Sequence, residues 1–156
     1  MDKNIDFSRD LIKGRIAEVI FEQMFREQGQ YTVIPFGYEQ TVPTLAQYQH
    51  LAEVKKVMEN ISDAPDFALV SNDRTRVFLV EVKYRKHPVG KNLGEIGEKL
   101  LRRWDPSWVF LATPQGFYFS PSSFVARERS IKELETTWIS AEIQGNYLQL
   151  LQEFER

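Results

Sequence analysis

Three ionisable residues stand in two apolar runs between residues 63 and 83. Asp66 precedes FALVS, and Glu81 and Lys83 close the run VFLVEVK. Charge inside a sheet is costly unless it is paired, hydrogen-bonded or bound to a metal. Two carboxylates that converge there repel each other, which raises at least one pKa unless a cation neutralises them. A hard ion such as Mg²⁺ suits such a pair, and the lysine can stabilise charge growing on a phosphate.

The two runs are predicted to form a β-hairpin. Asn72 and Asp73, between the runs, favour a tight turn. If they occupy the centre of an even-length loop, the numbers of paired residues sum to 145, which sets Glu81 diagonal to Asp66. Because side chains alternate along a strand, Asp66, Glu81 and Lys83 then share one face. Diagonal backbones lie roughly 7–8 Å apart, so one cation can bridge both carboxylates.

The rest of the chain predicts an α/β protein of the α+β kind, with a mixed sheet flanked by helices. A long helix is expected from about Phe7 to Glu27, capped by Ser8 and ended by Gly29. Further elements are expected in this order: an edge strand at YTVIPFGY, a helical insertion at about 39–60, the hairpin, a helix from Asn92, strands at WVFLAT and FYFS, a short helix capped by Ser130 with Glu133, and a C-terminal helix.

Composition limits the classes of protein and the kinds of chemistry. A chain of 156 residues predicts a single domain over 1–156. The absence of cysteine excludes disulfides, thiol nucleophiles and cysteine-based zinc sites, so a metal must be bound mainly by oxygen. The composition and the start of the chain predict a cytoplasmic protein without a membrane partner.

Positive charge is concentrated in one stretch. Residues 83–103 hold seven basic and two acidic residues, whereas the whole chain carries a net charge of −2. Such asymmetry indicates a phosphate-facing patch, although a charge run is also typical of a solvated face. The candidate nucleic-acid contacts are Arg85, Lys86, Lys91, Lys99, Arg102 and Arg103.

The paired motif resembles that of the PD-(D/E)XK nuclease superfamily. Its parts are Pro65-Asp66 and, after the turn, Glu81-Val82-Lys83. The resemblance covers about residues 8–120 and implies a restriction-endonuclease-like core: a helix, a mixed sheet whose central hairpin bears the motif, a second helix and further strands. It also implies that Asp66 and Glu81 ligate Mg²⁺, that the Val82 carbonyl adds a ligand, and that Lys83 assists the attacking water.

The first helix contributes one more candidate through the same resemblance. Glu18, in the pattern Gly14-x-x-x-Glu18, matches a glutamate that some members of the superfamily place near the metal. Glu18 also lies at the border of the apolar stripe, where an ordinary solvated glutamate would be found. Both interpretations stay open at the level of sequence.

The resemblance implies a DNA-cutting enzyme that uses Mg²⁺, with Mn²⁺ able to substitute, and that cuts internally. A homodimer is expected because two cuts in a duplex need two sites. Three alternatives stay open: a strand-edge salt bridge without a metal, a catalytically inactive nuclease-like module that binds nucleic acid or a partner protein, and a structural interaction protein.

Overall fold

The computed structural model describes residues 3–36, 64–90 and 92–155. The expected insertion at 39–60 and Lys91 lie outside this part of the chain. The described helices are α1 (Lys3–Gln28), α2 (Leu93–Arg103), α3 (Ser122–Glu128) and α4 (Ala141–Glu155). The described strands are β1 (Tyr31–Pro35), β2 (Phe67–Ser71), β3 (Val77–Tyr84), β4 (Ser107–Thr113) and β5 (Gly116–Pro121).

The five described strands form one mixed sheet in the order β1-β2-β3-β4-β5. Neighbouring strands are antiparallel except β3 and β4, which are parallel and are connected through α2. The predicted mixed sheet with flanking helices is therefore confirmed. The edge strand is confirmed as well, and Pro35 ends it, as expected for a residue that cannot donate to a ladder. None of the described helices is long and apolar enough to cross a membrane.

The two faces of the sheet carry different cores. Helix α1 covers an aromatic face, where the Phe21 ring lies 4.8 Å from Phe25, 5.0 Å from Phe67 and 5.1 Å from Phe110 between centroids. Helices α2 and α3 cover the other face with a smaller aliphatic cluster. That cluster consists of Leu93, Leu100, Val109, Leu111, Val125 and Ile131.

Helix α4 is fixed to the aromatic side through polar contacts as well as through buried Leu151. The Tyr84 hydroxyl donates to the Glu155 carboxylate, and Lys13 Nζ donates to the other oxygen of that carboxylate at 3.2 Å. These bonds join α1, the end of β3 and the last turn of α4.

Close approach of α2 to α3 requires a residue without a side chain. A Cβ built on Gly97 would lie 2.6 Å from the Ala126 nitrogen and 2.7 Å from the Ser122 carbonyl oxygen. Both neighbours are backbone atoms and cannot swing aside. Glycine at this position therefore allows α2 to pack closely against α3.

The structure corrects three local predictions. Helix α1 begins at Lys3, so Ser8 lies inside it, whereas Gly29 ends the helix with a φ of +77° as expected. Asn92 precedes α2 but its side chain makes no capping hydrogen bond. No helix begins at Ser130, because the chain there bonds along β5: the Phe119 N–H donates to the Lys132 carbonyl at 2.8 Å. The short helix is α3, which starts earlier.

The hairpin is confirmed, but its register differs from the prediction by two residues. Val70 pairs with Val77, so paired numbers sum to 147. The turn is centred one residue later because the Asp73 carboxylate accepts from Ser71 Oγ at 2.6 Å and from the Thr75 N–H at 3.0 Å. Arg74 completes the turn with a φ of +61°. A shift of two keeps the parity, so the same side chains share a face.

Candidate active site

The observed register brings Asp66 directly opposite Glu81. Phe67 pairs with Val80, and one further step along the ladder sets Asp66 against Glu81. Residues directly opposite have Cβ atoms roughly 4.5–5.5 Å apart, closer than the predicted diagonal. Besides burial, the charge of Asp66 raises the pKa of Glu81, as expected for two carboxyl groups that lie close together. The shared face predicted for them is observed, and the predicted diagonal spacing is wrong.

Asp66 takes the place of a ladder partner where β2 begins. Its Oδ2 accepts from the Val82 N–H at 2.8 Å, and its own carbonyl accepts from the Phe36 N–H at 2.9 Å. The register sets Val82 opposite Pro65, which has no N–H to donate to the Val82 carbonyl. A proline at this position thus leaves that carbonyl, beside the Asp66 carboxylate, without its ladder donor.

Glu81 lies in an environment that disfavours its charge. Its side chain is only 16% exposed. Burial, and next the charge of Asp66, raise the pKa of Glu81 to about 9, although the nearby Lys83 ammonium acts in the opposite direction. Glu81 therefore holds a proton at neutral pH and can donate it to the Asp66 carboxylate.

Lys83 lies two residues beyond Glu81 and projects from the same face. Its Nζ is 3.9 Å from Glu81 Oε1, and its side chain is 39% exposed. The ammonium group is therefore near the carboxyl pair while it remains accessible from solvent. Both properties suit a group that contacts a ligand bound at the pair.

Glu18 is close enough to influence the pair but does not join it. The side chain is 25% exposed and lies 3.8 Å from Arg15. Its charge contributes to the raised pKa of Glu81, after burial and Asp66. Among residues 3–36, 64–90 and 92–155, no group of three or more acidic or histidine side chains is arranged to hold a metal. The role of Glu18 near a metal stays a prediction.

The atoms at the pair fit a hard divalent cation. Two carboxyl groups and a backbone carbonyl supply only oxygen, which Mg²⁺ prefers, and Mg²⁺ is commonly held by one or two carboxylates together with water. Burial and the charge of Asp66 raise the pKa of Glu81, so a bound cation would stabilise the ionised form of the pair. Asp66, Glu81 and the Val82 carbonyl are therefore the residues that would hold the ion.

The candidate phosphate contacts fall into two groups. Arg85 and Lys86 follow β3 at its carboxyl end, where the Arg85 N–H donates to the Ala112 carbonyl at 3.0 Å. Lys99, Arg102 and Arg103 lie on α2, whose last turn leads to the other end of β3: Leu79 N–H donates to the Pro106 carbonyl at 3.1 Å. The ends are roughly 20 Å apart, because a strand rises about 3.3 Å per residue. These residues therefore do not form a single continuous patch.

Two aromatic residues near the pair were not among the sequence-based candidates. Trp104 fits the apolar stripe of α2, and Phe36 follows β1, so their sequence pattern indicates only packing. In the structure their ring centroids are 5.7 Å apart, beside the strand end that carries Asp66. They come together because the end of β1 approaches the end of α2 in the fold, and the local sequence does not predict this contact.

No protein-family model matches the chain, and no curated protein matches its sequence.

Proposed function

We propose that the chain is a Mg²⁺-dependent nuclease with a restriction-endonuclease-like fold that hydrolyses phosphodiester bonds inside DNA strands. The order of α1, three strands, α2 and β4 agrees with the core that the sequence resemblance implies. The hairpin that carries the motif lies in the interior of the sheet, since β1 and β4 flank it.

One observation carries the proposal. Asp66 and Glu81, which are fifteen residues apart, meet at the junction of two adjacent strands with Lys83 3.9 Å from Glu81. A buried pair of acids destabilises a fold unless it is neutralised, and an isolated structural salt bridge would need only one of them. The second acid, next to the Val82 carbonyl that Pro65 leaves without a donor, supplies the further oxygen ligand that a cation site requires.

Each residue has a distinct task in the proposed reaction. A bound Mg²⁺ would lower the pKa of water and offset charge on a phosphate. Asp66 and Glu81 would hold the ion, and Glu81 would release its proton on binding. Lys83, on the open side of the pair, would donate to a non-bridging phosphate oxygen and orient the attacking water in line with the departing 3′ oxygen.

Cleavage of supercoiled plasmid DNA with Mg²⁺ or Mn²⁺ tests the assignment. Asp66→Ala should abolish cleavage, whereas Lys132→Ala, which removes an exposed lysine on the β5 side, should leave it unchanged. Circular dichroism should show the same fold for both variants. Undiminished cleavage by the Asp66→Ala protein would refute the proposed role of the pair.

Duplex cleavage at both strands also calls for a second copy of the chain, and α1 and α4 offer an apolar surface for it. A groove of about 440 Å³ there is lined by Leu11, Ile12, Arg15, Ile16, Val19, Ile20, Leu150 and Phe154. Sedimentation velocity should show a dimer that Ile12→Asp dissociates. A wild-type monomer would contradict this assembly.

A second candidate is a nuclease-like module that binds nucleic acid or a partner protein without catalysis. The absence of a third acidic ligand in the described part of the chain favours it. This module would show no Mn²⁺ binding at millimolar concentrations by calorimetry. The nuclease would bind Mn²⁺ and lose that binding on Asp66→Ala substitution.

A further inference from the structure

A groove of about 360 Å³ runs along α2 on the sheet face that carries the acidic pair. It is lined by Glu95, Glu98, Lys99, Arg102, Arg103 and Trp104. Val109 and Leu111 pair with Glu81 and Lys83 in the parallel register. Since Val109 and Leu111 pack in the cluster beneath α2, the groove and the pair lie on the same face.

One end of the groove reaches the acidic pair through two contacts. The Trp104 ring lies 5.7 Å from the Phe36 ring, and the Phe36 N–H donates to the Asp66 carbonyl at 2.9 Å. Phe36 is 37% exposed, and Trp104 is half-buried. A chain bound at Asp66 would therefore meet aromatic surface as it left the pair.

The same end of the groove is positively charged. Arg102 and Arg103 form the last turn of α2 and are exposed. Glu98, toward the other end, is paired with Arg129 at 3.0 Å. The acidic residues that line the groove, Glu95 and Glu98, lie toward its other end, so its positive charge is concentrated where the aromatic rings lie.

Cations beside exposed aromatic rings are the combination by which proteins bind single-stranded nucleic acid. Phosphates contact the cations, while the faces of unpaired bases stack on the rings. Base faces in a duplex are covered by their neighbours, so a duplex could use only the cations of this groove. The rings would add nothing to duplex binding.

We infer that this groove binds a single-stranded segment of DNA beside the scissile phosphodiester. One unpaired base stacks against Trp104 and Phe36, and Arg102 and Arg103 contact the flanking phosphates. This inference rests on the proposed nuclease function, and it identifies DNA with an unpaired stretch, such as an overhang, gap or flap, as a substrate that the protein binds more tightly than a continuous duplex.

Binding of fluorescein-labelled oligothymidylate and of a blunt duplex of equal length, measured by anisotropy in EDTA, tests the inference. Trp104→Ala should weaken oligothymidylate binding about tenfold and leave duplex binding unchanged. Trp104→Phe should retain most of the affinity, because the indole N–H meets no hydrogen-bond acceptor in the described residues and a phenyl ring can still stack. Arg102→Ala should weaken both and reduce their salt dependence, whereas Arg9→Ala, on α1 across the sheet, should change neither.

Equal affinity of the Ala and Phe variants, or duplex binding as tight as oligothymidylate binding, would overturn the inference. Photo-crosslinking of wild-type protein to an iodouracil oligonucleotide needs no variant: peptides that contain Trp104 or Phe36 should carry the adduct, and adducts confined to other peptides would overturn it. All these measurements exclude divalent ions. The nuclease proposal fails separately, if plasmid cleavage survives Asp66→Ala.

Discussion

The two faces of the sheet bury their side chains in different ways. Under α1, large rings interlock, and Phe21, Phe25 and Phe110 are almost fully buried. Under α2 and α3, an aliphatic cluster leaves room at its border, and there Glu81 and Lys83 project. β3 serves both faces, because its even residues enter the aromatic core and its odd residues reach the site. One strand thus connects the aromatic core to the acidic pair.

The aromatic face should determine stability and not the rate of cleavage. Phe21→Ala removes a ring with three close aromatic neighbours and should cost about 3–5 kcal/mol of unfolding free energy. Urea unfolding measures this loss. The exposed Phe7, which is 71% accessible, provides the matched control, and Phe7→Ala should cost far less. Equal losses for the two variants would contradict the contrast between the faces.

Lys83, on the charged face, should determine the rate of cleavage and hardly affect stability. Lys83→Ala removes the ammonium group that we assign to the phosphate, and cleavage of plasmid DNA should fall about 10²–10³-fold. Its melting temperature should change little, because the side chain is partly exposed and its ion pair is long. A folded Lys83→Ala protein of full activity would separate Lys83 from the chemistry.

The acidic pair should make the stability of the metal-free protein depend on pH. The pKa of Glu81 is raised to about 9 from 4.5, so between these values the native state holds a proton that the unfolded chain has released. This contribution is complete below pH 4.5 and is lost as the pH rises to about 9, with a slope on the order of 1 kcal/mol per pH unit.

Glu81→Gln should remove that slope, since the amide is neutral at every pH and can still donate to Asp66. Urea unfolding of both proteins in EDTA at about pH 5, 7 and 9 makes the comparison. Parallel pH profiles for the two proteins would show that Glu81 is ionised in the native state.

The contact between α2 and α3 predicts a smaller effect that reaches the site indirectly. Gly97→Ala forces a methyl group against two backbone atoms and should cost about 1–3 kcal/mol. Gly145→Ala is a suitable control, because a Cβ there meets nothing within 4 Å. If both variants unfold at the same urea concentration, α2 can move away from α3 without cost.

Local sequence patterns predicted most elements and the shared face of the acidic pair. Alternating apolar residues and the turn at Asn72 and Asp73 were sufficient for the hairpin. These patterns did not predict the register. The hydrogen bonds of Asp73 and the left-handed conformation of Arg74 select a turn that is centred one residue later. Because the register differs from the prediction by an even number of residues, Asp66 and Glu81 still project from the same face.

Predictions failed where distant backbone supplied the hydrogen bonds. The segment after Ser130 has a capping pattern, yet it bonds along β5 instead of forming a helix. Similarly, Trp104 follows the apolar period of its helix, and nothing local indicates that it meets Phe36. Contacts between elements that are far apart in sequence determine these features. Local sequence patterns do not predict such contacts.

The most direct test of the central claim is the anomalous difference density of crystals soaked in Mn²⁺. If the acidic pair is a cation site, a peak should lie between the carboxylates of Asp66 and Glu81, within ligand distance of the Val82 carbonyl, and it should vanish in crystals of Asp66→Ala. Crystals with ordered carboxylates and no peak between them would contradict the claim.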